Sequence, residues 1–428
     1  MSLELDTLAW VAEQVERAEL EVTPISLDES QEWRWRDGAI VHRSGRFFRV
    51  IGVESGGRDD EPRHQPLIDQ PEIGTLCSIH RRADLAELLV QAKAEPGTVG
   101  VVQLAPSIQA TASNADQVHG GEAPPLQQAA RAGAIEQVSR VVASEQGSRF
   151  LGKCNANVLA RQVAELPSST AHRWLPVDEL LELAAVDQVV NTDLRSVLVS
   201  SPWRYLVDRE PFRRRDDQLG RWLSASWSAT GDAAIARDRV GSAAAEVAPS
   251  RVVRLDALSG WRRTDEGVSR DGTSALEGRG FRVRQIDVRV AGREVPHWDQ
   301  PIIDSLGPGV VELWMRVDGR HPRFGFRLAA EPGLATGVEL TATVVTSPGD
   351  TQPSSTVGLV LAQVAQSDEG GRFFHDVSDY RLVLADDPDS AGDDVLWLAL
   401  GDVDVLLAEG RWFTNEARSA LALVLPWL

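Results

Sequence analysis

Cysteine is almost missing: Cys77 and Cys154 are the only two in 428 residues. Two thiols cannot build a disulfide framework, and Met1 to Leu20 lacks the basic-then-apolar order of a secretory signal. A reducing cytoplasm is the expected location. Long hydrophobic runs are missing too, since none reaches the roughly 18 residues that a membrane span needs. Net positive charge is also absent. The 63 acidic and 44 basic side chains leave −19, which argues against a nucleic-acid binder, because backbone phosphates need a cationic footprint. Any anionic ligand must be held locally. The eight histidines form no H-x-x-x-H pair, no C-x-x-C exists, and no G-x-G-x-x-G follows a strand-like run. Neither a zinc centre nor a dinucleotide cofactor has a signature here.

What is present is a text written twice. Gln91-Ala92-Lys93-Ala94-Glu95-Pro96-Gly97 returns as Arg327-Leu328-Ala329-Ala330-Glu331-Pro332-Gly333, at a separation far beyond any solenoid period. Trp33 aligns with Trp261, Gln65-Pro66-Leu67-Ile68-Asp69 with Gln300-Pro301-Ile302-Ile303-Asp304, Arg149-Phe150 with Arg372-Phe373, and Asn191 and Arg195 with Asn415 and Arg418. With 43% hydrophobic residues, the chain can bury two ordinary cores.

Leu5, Leu8, Ala12 and Val15 recur at helical spacing and predict an N-terminal helix. Ala39 to Val53 reads as a hairpin around Arg43-Ser44-Gly45-Arg46. Leu85 to Ala94 reads as a strand ended by Glu95-Pro96-Gly97, Val99 to Gln109 as another, and a helix follows from Val177 with Asp178 as N-cap. Asp217 to Ala229, carrying Trp222 and Trp227, repeats the leading helix, and the Ala-, Gly- and Ser-rich 233–250 reads as a flexible linker. The units are therefore 1–215 and 216–428, each a mixed-sheet α+β unit.

Gln91 to Gly97, Ala105-Pro106-Ser107-Ile108-Gln109-Ala110-Thr111-Ala112-Ser113-Asn114, the hairpin His42 to Phe48, and Trp298-Asp299-Gln300-Pro301 resemble the NDP-hexose 2,3-dehydratase family. The resemblance runs over nearly the whole chain. It implies a tandem duplication of a Nudix-like α/β unit, a homodimer, and a substrate like dTDP-4-keto-6-deoxy-D-glucose. It also implies two nucleotide-sugar pockets per chain, with room for one to be catalytically idle. Two departures stand out: Ala115 follows Ser-Asn where the family has Tyr, and Ala342-Thr343-Val344-Val345 replaces a Pro-Thr-Val-Gln-like run. A non-catalytic sugar-nucleotide binder, or a dehydratase for another NDP-sugar, is the alternative. A structural dimerisation protein would account for the 13 tryptophans but not for the paired Arg-Phe motifs.

The implied reaction needs no metal and no hydride carrier. A C4 ketone acidifies the C3 proton, and the C2 hydroxyl leaves as the enolate collapses, giving a 3,4-diketo-2,6-dideoxy sugar. No cofactor is therefore expected, and the absence of the glutamate-rich Nudix metal box disfavours diphosphate hydrolysis. The labile product implies a 3-ketoreductase as the next enzyme. The chemistry requires a base, an acid and donors to the C4 oxygen. Lys93 and Glu95 are the first candidates, because residues two apart on a strand share a face, and Lys93 has only Ala329 as its counterpart. Glu95 also reads as a tie to backbone amides, since Glu-Pro-Gly occurs twice. His42 titrates in the right range, although a histidine beside a hairpin turn is commonly just solvated. For substrate binding, Arg149 with Phe150 and Arg372 with Phe373 and Phe374 offer a planar fork and an aromatic face. Asn191 with Arg195 and Asn415 with Arg418 share helical faces and complete each phosphate site, or else these arginines serve internal ion pairs. Gln109, Thr111, Ser113, Asn114 and Trp298 are expected to line the pockets.

Overall fold

The structure, a computed structural model, describes residues 3–56, 62–82, 85–110, 125–271, 280–291, 295–317, 321–346, 358–392 and 394–428. The chain opens with α1 (Leu3–Ala18) and β1 (Glu21–Ile25), then β2 (Trp33–Arg36), β3 (Ala39–His42), β4 (Arg49–Ser55) and β5 (Arg63–Asp69). Next come β6 (Gly74–Arg82), β7 (Ala86–Ala94), β8 (Val102–Pro106), β9 (Ile108–Ala110), α2 (Pro125–Ala129), β10 (Ile135–Ser144), β11 (Cys154–Gln162), β12 (His172–Pro176), α3 (Val177–Leu183) and α4 (Thr192–Ser200). Helices α5 (Trp203–Val207), α6 (Gln218–Trp227) and α7 (Ala233–Glu246) lead into β13 (Arg251–Val253), β14 (Trp261–Arg263), β15 (Gly267–Arg270), β16 (Phe281–Arg289) and β17 (His297–Ser305). The chain then forms β18 (Gly309–Arg316), β19 (Arg323–Ala329), β20 (Glu339–Ala342), β21 (Val344–Thr346), β22 (Gly358–Ser367), β23 (Phe373–Phe374), β24 (Val377–Ala385), β25 (Leu396–Leu398), α8 (Leu400–Glu409) and α9 (Asn415–Leu421).

Among the described residues the strands form mixed sheets, so the chain is a mixed α/β protein. One seven-stranded sheet has the order β10-β11-β6-β7-β12, with β8 on β7 and β9 on β6; the other has β20-β19-β18-β24-β22, with β21 on β18 and β25 on β19. Each contains one parallel pair, β6 with β11 and β18 with β24, and each bulges in its edge strand, at Gln137/Ser139 and at Val360/Ala362. The expected single strand over 99–109 is two strands. Ser107 accepts from the Ile79 amide at 2.9 Å and donates to the Leu89 carbonyl, so its hydroxyl intrudes between neighbours and β9 moves from β7 to β6. Thr343 does the same, accepting from the Trp314 amide at 3.0 Å and donating to the Gly325 carbonyl at 2.6 Å.

The hairpin sheets exchange strands between the halves: β13 pairs with β4, whereas β1 pairs with β16. Residues 233–250, expected as a linker, are helical over 233–246. Alanine had been counted with glycine and serine as a flexible residue, yet it is the strongest helix former. Ala236 and Val240 are buried on one face, and the Asp402 carboxylate accepts from the amides of Gly231, Asp232 and Ala233 at the helix start. The helix that leads into an exchanged strand, as α1 leads into β1, is thus α7 and not the Trp222/Trp227 helix. Asp178, expected as an N-cap, lies inside the first turn of α3 with Pro176 at the cap; its carboxylate is taken by Arg209 at 2.6 Å.

The largest apolar cluster is shared. Leu88, Leu104 and Leu159 of one large sheet, Leu313, Phe324 and Phe326 of the other, and Leu194, Leu421 and Leu425 between them belong to one body of buried side chains. Among the described residues no helix is long and apolar enough to cross a membrane.

Candidate functional site

The repeated Glu-Pro-Gly turns fix the site, because each is seated on the other half of the chain. The Gly97 amide donates to the Gly370 carbonyl at 2.8 Å, and the His375 amide donates to the Gly97 carbonyl at 2.8 Å. Likewise the Gly333 amide donates to the Gly147 carbonyl, and the Gly152 amide to the Gly333 carbonyl, both at 2.7 Å. A Cβ at Gly97 would collide with the Phe373 carbonyl, and one at Gly333 with that of Phe150. Glycine is required at both places by backbone contact. Two further pairs cross in the same way: the Trp33 indole donates to the Asp299 carbonyl and the Trp261 indole to that of His64, each at 2.8 Å.

At the first site, on the β6–β7–β9 sheet, the Lys93 ammonium lies 2.7 Å from the Glu95 carboxylate, which also accepts from the Gln109 amide at 3.4 Å. Glu95 is buried and Lys93 mostly so, at 7% and 14% side-chain exposure. The crossing loop adds Glu369 and Arg372. The guanidinium of Arg372 lies 4.2 Å from the Phe48 ring centroid, and burial lowers its pKa. Burial raises the Glu369 carboxyl to about 6 against the pull of Arg372, with Glu95 and Glu145 raising it further. Asp193 is held well above the usual carboxylate range by burial and then by Glu369, Glu145 and Glu95. Lys153 donates to the Glu72 carbonyl at 2.6 Å, and burial lowers its pKa. Lys93 and Lys153 are the only lysines among 44 basic residues, and both stand here. Scarcity was the signal that sequence reading passed over: arginine is the cation everywhere else, and both lysines stand in one place.

The second site sits on the β18–β24 sheet around a cavity of about 30 Å³ walled by Gln146, Arg149, Asp368, Asp376, Tyr380 and Glu416, among others. Its polar wall comes from β24, α9, Thr346 at the end of β21 and the two loops bearing Gln146 to Arg149 and Asp368 to Asp376, while the 341–345 run adds only Val345. Both amide atoms of Gln146, Asp376 Oδ1, Glu416 Oε2 and Glu331 Oε2 are buried without a hydrogen-bond partner among the described residues. Burial, with Glu416 and Glu339 nearby, pushes Glu331 up to about 8. The carboxyls of Asp376 and Glu416 are also raised, mainly by burial.

The remaining candidates are scattered. Arg149 faces the second site, its guanidinium 4.0 Å from the Phe281 ring centroid. Phe150 and Phe373 are each 1% exposed and pack on one another at 5.8 Å, so the core uses faces that were expected to stack on a base. Phe374 stacks on His375 at 4.2 Å. Arg195 is spent on the carbonyls of Val190 and Ser367 and the side chain of Gln366, and Arg418 on the carbonyls of Phe413 and Ser144 and the Ser196 hydroxyl. Asn191 caps α4 as Thr414 caps α9, which shifts the expected Asn191–Asn415 equivalence by one residue; Asn415 donates to Glu145 at 3.2 Å. The Trp298 indole donates to Gln300 at 2.9 Å. His42 on β3 is engaged by Ser44 and Glu32, in a different sheet from the β7 strand that bears Lys93. Thr111, Ser113, Asn114 and the 120–125 loop as far as 124 lie outside the described residues. Among the described residues no group of three or more His, Cys, Asp or Glu side chains is arranged to hold a metal ion.

A family model described as NDP-hexose 2,3-dehydratase matches residues 4–200 and 240–424. A Streptomyces violaceoruber protein named dTDP-4-dehydro-6-deoxy-alpha-D-glucopyranose 2,3-dehydratase is 32% identical over 97% of this chain and 96% of its own. An Amycolatopsis orientalis protein of the same name is 29% identical, covering 98% and 89%. A solved structure titled "Crystal structure of ADP compounds hydrolase" aligns with 39% of this chain and 83% of its own at 15% identity and a TM-score of 0.23, too slight a likeness to carry an argument.

Proposed function

The chain belongs to the NDP-hexose 2,3-dehydratase family and is an enzyme that removes water from a nucleotide-linked deoxysugar; from that premise we propose that it acts on dTDP-4-keto-6-deoxy-D-glucose, with the first site as the seat of the chemistry. The observation that carries this reading is the largely enclosed Lys93–Glu95 pair at 2.7 Å, an ionisable couple at the end of β7 that Ala329 and Glu331 do not reproduce. The pair takes the C3 proton, nearby donors meet the charge that develops on the C4 oxygen, and Arg372 with Lys153 supplies cations for the diphosphate. The test is exchange of the substrate's C3 hydrogen, followed by NMR in deuterated buffer. Glu95→Gln and Lys93→Met should slow it on the order of 10²-fold, while Glu331→Gln leaves it running. A second reading puts the chemistry in the second site, favoured by its cavity and by Glu331; the reverse outcome would establish it.

We also read the chain as units 1–215 and 216–428, a tandem duplication. Support comes from the matching strand orders, the reciprocal Glu-Pro-Gly seats and one family model matching two stretches. The Nudix-like character, the homodimer and the 3-ketoreductase acting next follow from the family resemblance and the lability of a 3,4-diketo product, and the cytoplasmic location from the scarcity of cysteine and the character of Met1 to Leu20.

A further inference from the structure

We propose that Glu369, reaching across from the second half of the chain, delivers the proton to the departing C2 hydroxyl at the first site; this rests on reading that site as the working one. Glu369 lies in the loop on which the Glu95-Pro96-Gly97 turn is seated. Its carboxylate oxygen and that of Glu95 both come within 3.5 Å of the point where a Cβ on Gly371 would stand. Gly370, next to it, would meet Thr98 and the Glu95 side chain, so two adjacent glycines leave room for two carboxylates to converge. Elimination needs one group to take a proton and another to give one, and a carboxylate pair from different elements supplies both roles.

The second site does not repeat this pair. Ser144 pairs with Cys154 as Ser367 pairs with Val377, and the amides of Arg149 and Phe150 donate to the Gln146 carbonyl as those of Arg372 and Phe373 donate to Glu369. Gln146 therefore occupies the place of Glu369, and an amide cannot act as the acid. Glu95, Glu145 and Asp193 face Glu369 from the first half, with Lys93, Lys153 and Arg372 as the opposing cations. Burial with that acidic company raises its carboxyl to about 6, which keeps a protonated fraction available near neutral pH.

The step balances. The C3–H bond breaks, its proton passes to the Lys93–Glu95 pair, and its electrons form the C3=C4 enolate. As the C4 carbonyl re-forms, the C2=C3 bond forms and the C2–O bond breaks, the oxygen leaving as water with the proton of Glu369. Ketonisation returns the C3 hydroxyl proton to Glu369 and moves a proton from the pair to C2, so the net change is loss of one water.

Fluoride at C2 can leave without an acid, and this isolates the role. With Glu369→Gln, water loss should fall on the order of 10²-fold, C3 exchange in deuterated buffer should continue, and fluoride release from the 2-deoxy-2-fluoro substrate should stay within a few-fold of the unaltered protein. Fluoride release falling as far as water loss, or exchange lost together with it, would overturn the proposal. The unaltered protein gives a second reading free of folding effects. Its ratio of fluoride release to water loss should climb as pH rises through the Glu369 titration, and a constant ratio would likewise overturn the role. Exchange stopped by Glu331→Gln but not by Glu95→Gln would instead remove the first site as the working one, a distinct result.

Discussion

Glu339 is fully buried, and its counterpart in the other half is Gln103. The Leu340 amide donates to the Trp412 carbonyl as the Leu104 amide donates to Val189, each at 2.8 Å, so the preceding residues correspond. Gln103 donates to the Ser367 hydroxyl at 3.1 Å, and the Ser144 hydroxyl donates to Glu339 at 2.5 Å. The second carboxylate oxygen of Glu339 has no hydrogen-bond partner among the described residues. Burial raises its pKa from 4.5 to about 7, opposed by Ser144, Arg418 and Thr336. The folded chain then holds this proton more tightly than the unfolded one, so its contribution to stability is lost as pH rises from 4.5 through about 7. A tenfold change in proton affinity is worth about 1.4 kcal/mol, which makes the loss about 3 kcal/mol. Glu339→Gln removes the charge, keeps the shape and copies the residue already used at position 103. Urea unfolding followed by tryptophan fluorescence should find the variant close to the unaltered protein near pH 5 and more stable by about 3 kcal/mol near pH 8. Because Glu331 also titrates, the difference between the two proteins is the readout, and not the slope of either. A difference equal at both pH values would refute the reasoning.

Gly97→Ala and Gly333→Ala each force a methyl against a carbonyl of the opposite half; thermal unfolding should register a loss of about 1–3 kcal/mol or more for each. Arg149→Ala and Arg372→Ala should each weaken one dTDP site by roughly 1.5–3 kcal/mol in calorimetry, the first acting on the second site and the second on the first. A single site that survives both changes would remove the arginines from ligand binding.

Much of the local structure was legible. The hairpin at Arg43–Arg46, the strand ending at Ala94 and the helix at Trp222 follow from periodicity and turn residues. Alternation along a strand predicts that Lys93 and Glu95 share a face, and their side chains meet although Glu95 stands one residue beyond the end of β7. The Ala-rich 233–246 segment was misjudged because composition was weighed without helix propensity, and Asp178 because an ion pair with Arg209 outweighed capping. Arg195 and Arg418 match neither expectation, phosphate site nor ion pair: their buried guanidinium groups are satisfied mainly by backbone carbonyls, among them those of Val190 and Phe413 just before the helix starts.

The sequence by itself determined the recurrence of motifs such as Glu-Pro-Gly, the placement of most of the strands named from it, the surplus of acid and the difference between Lys93 and Ala329, because each is a property of local order or of counting. Tertiary structure alone decided that β1 and β13 change sides, that each Glu-Pro-Gly turn rests on the other half, and that Glu369 and Arg372 stand beside Lys93 and Glu95. Contacts between residues so far apart in the chain depend on how two surfaces close on one another, and neither periodicity nor spacing along a chain encodes which loop a glycine will admit.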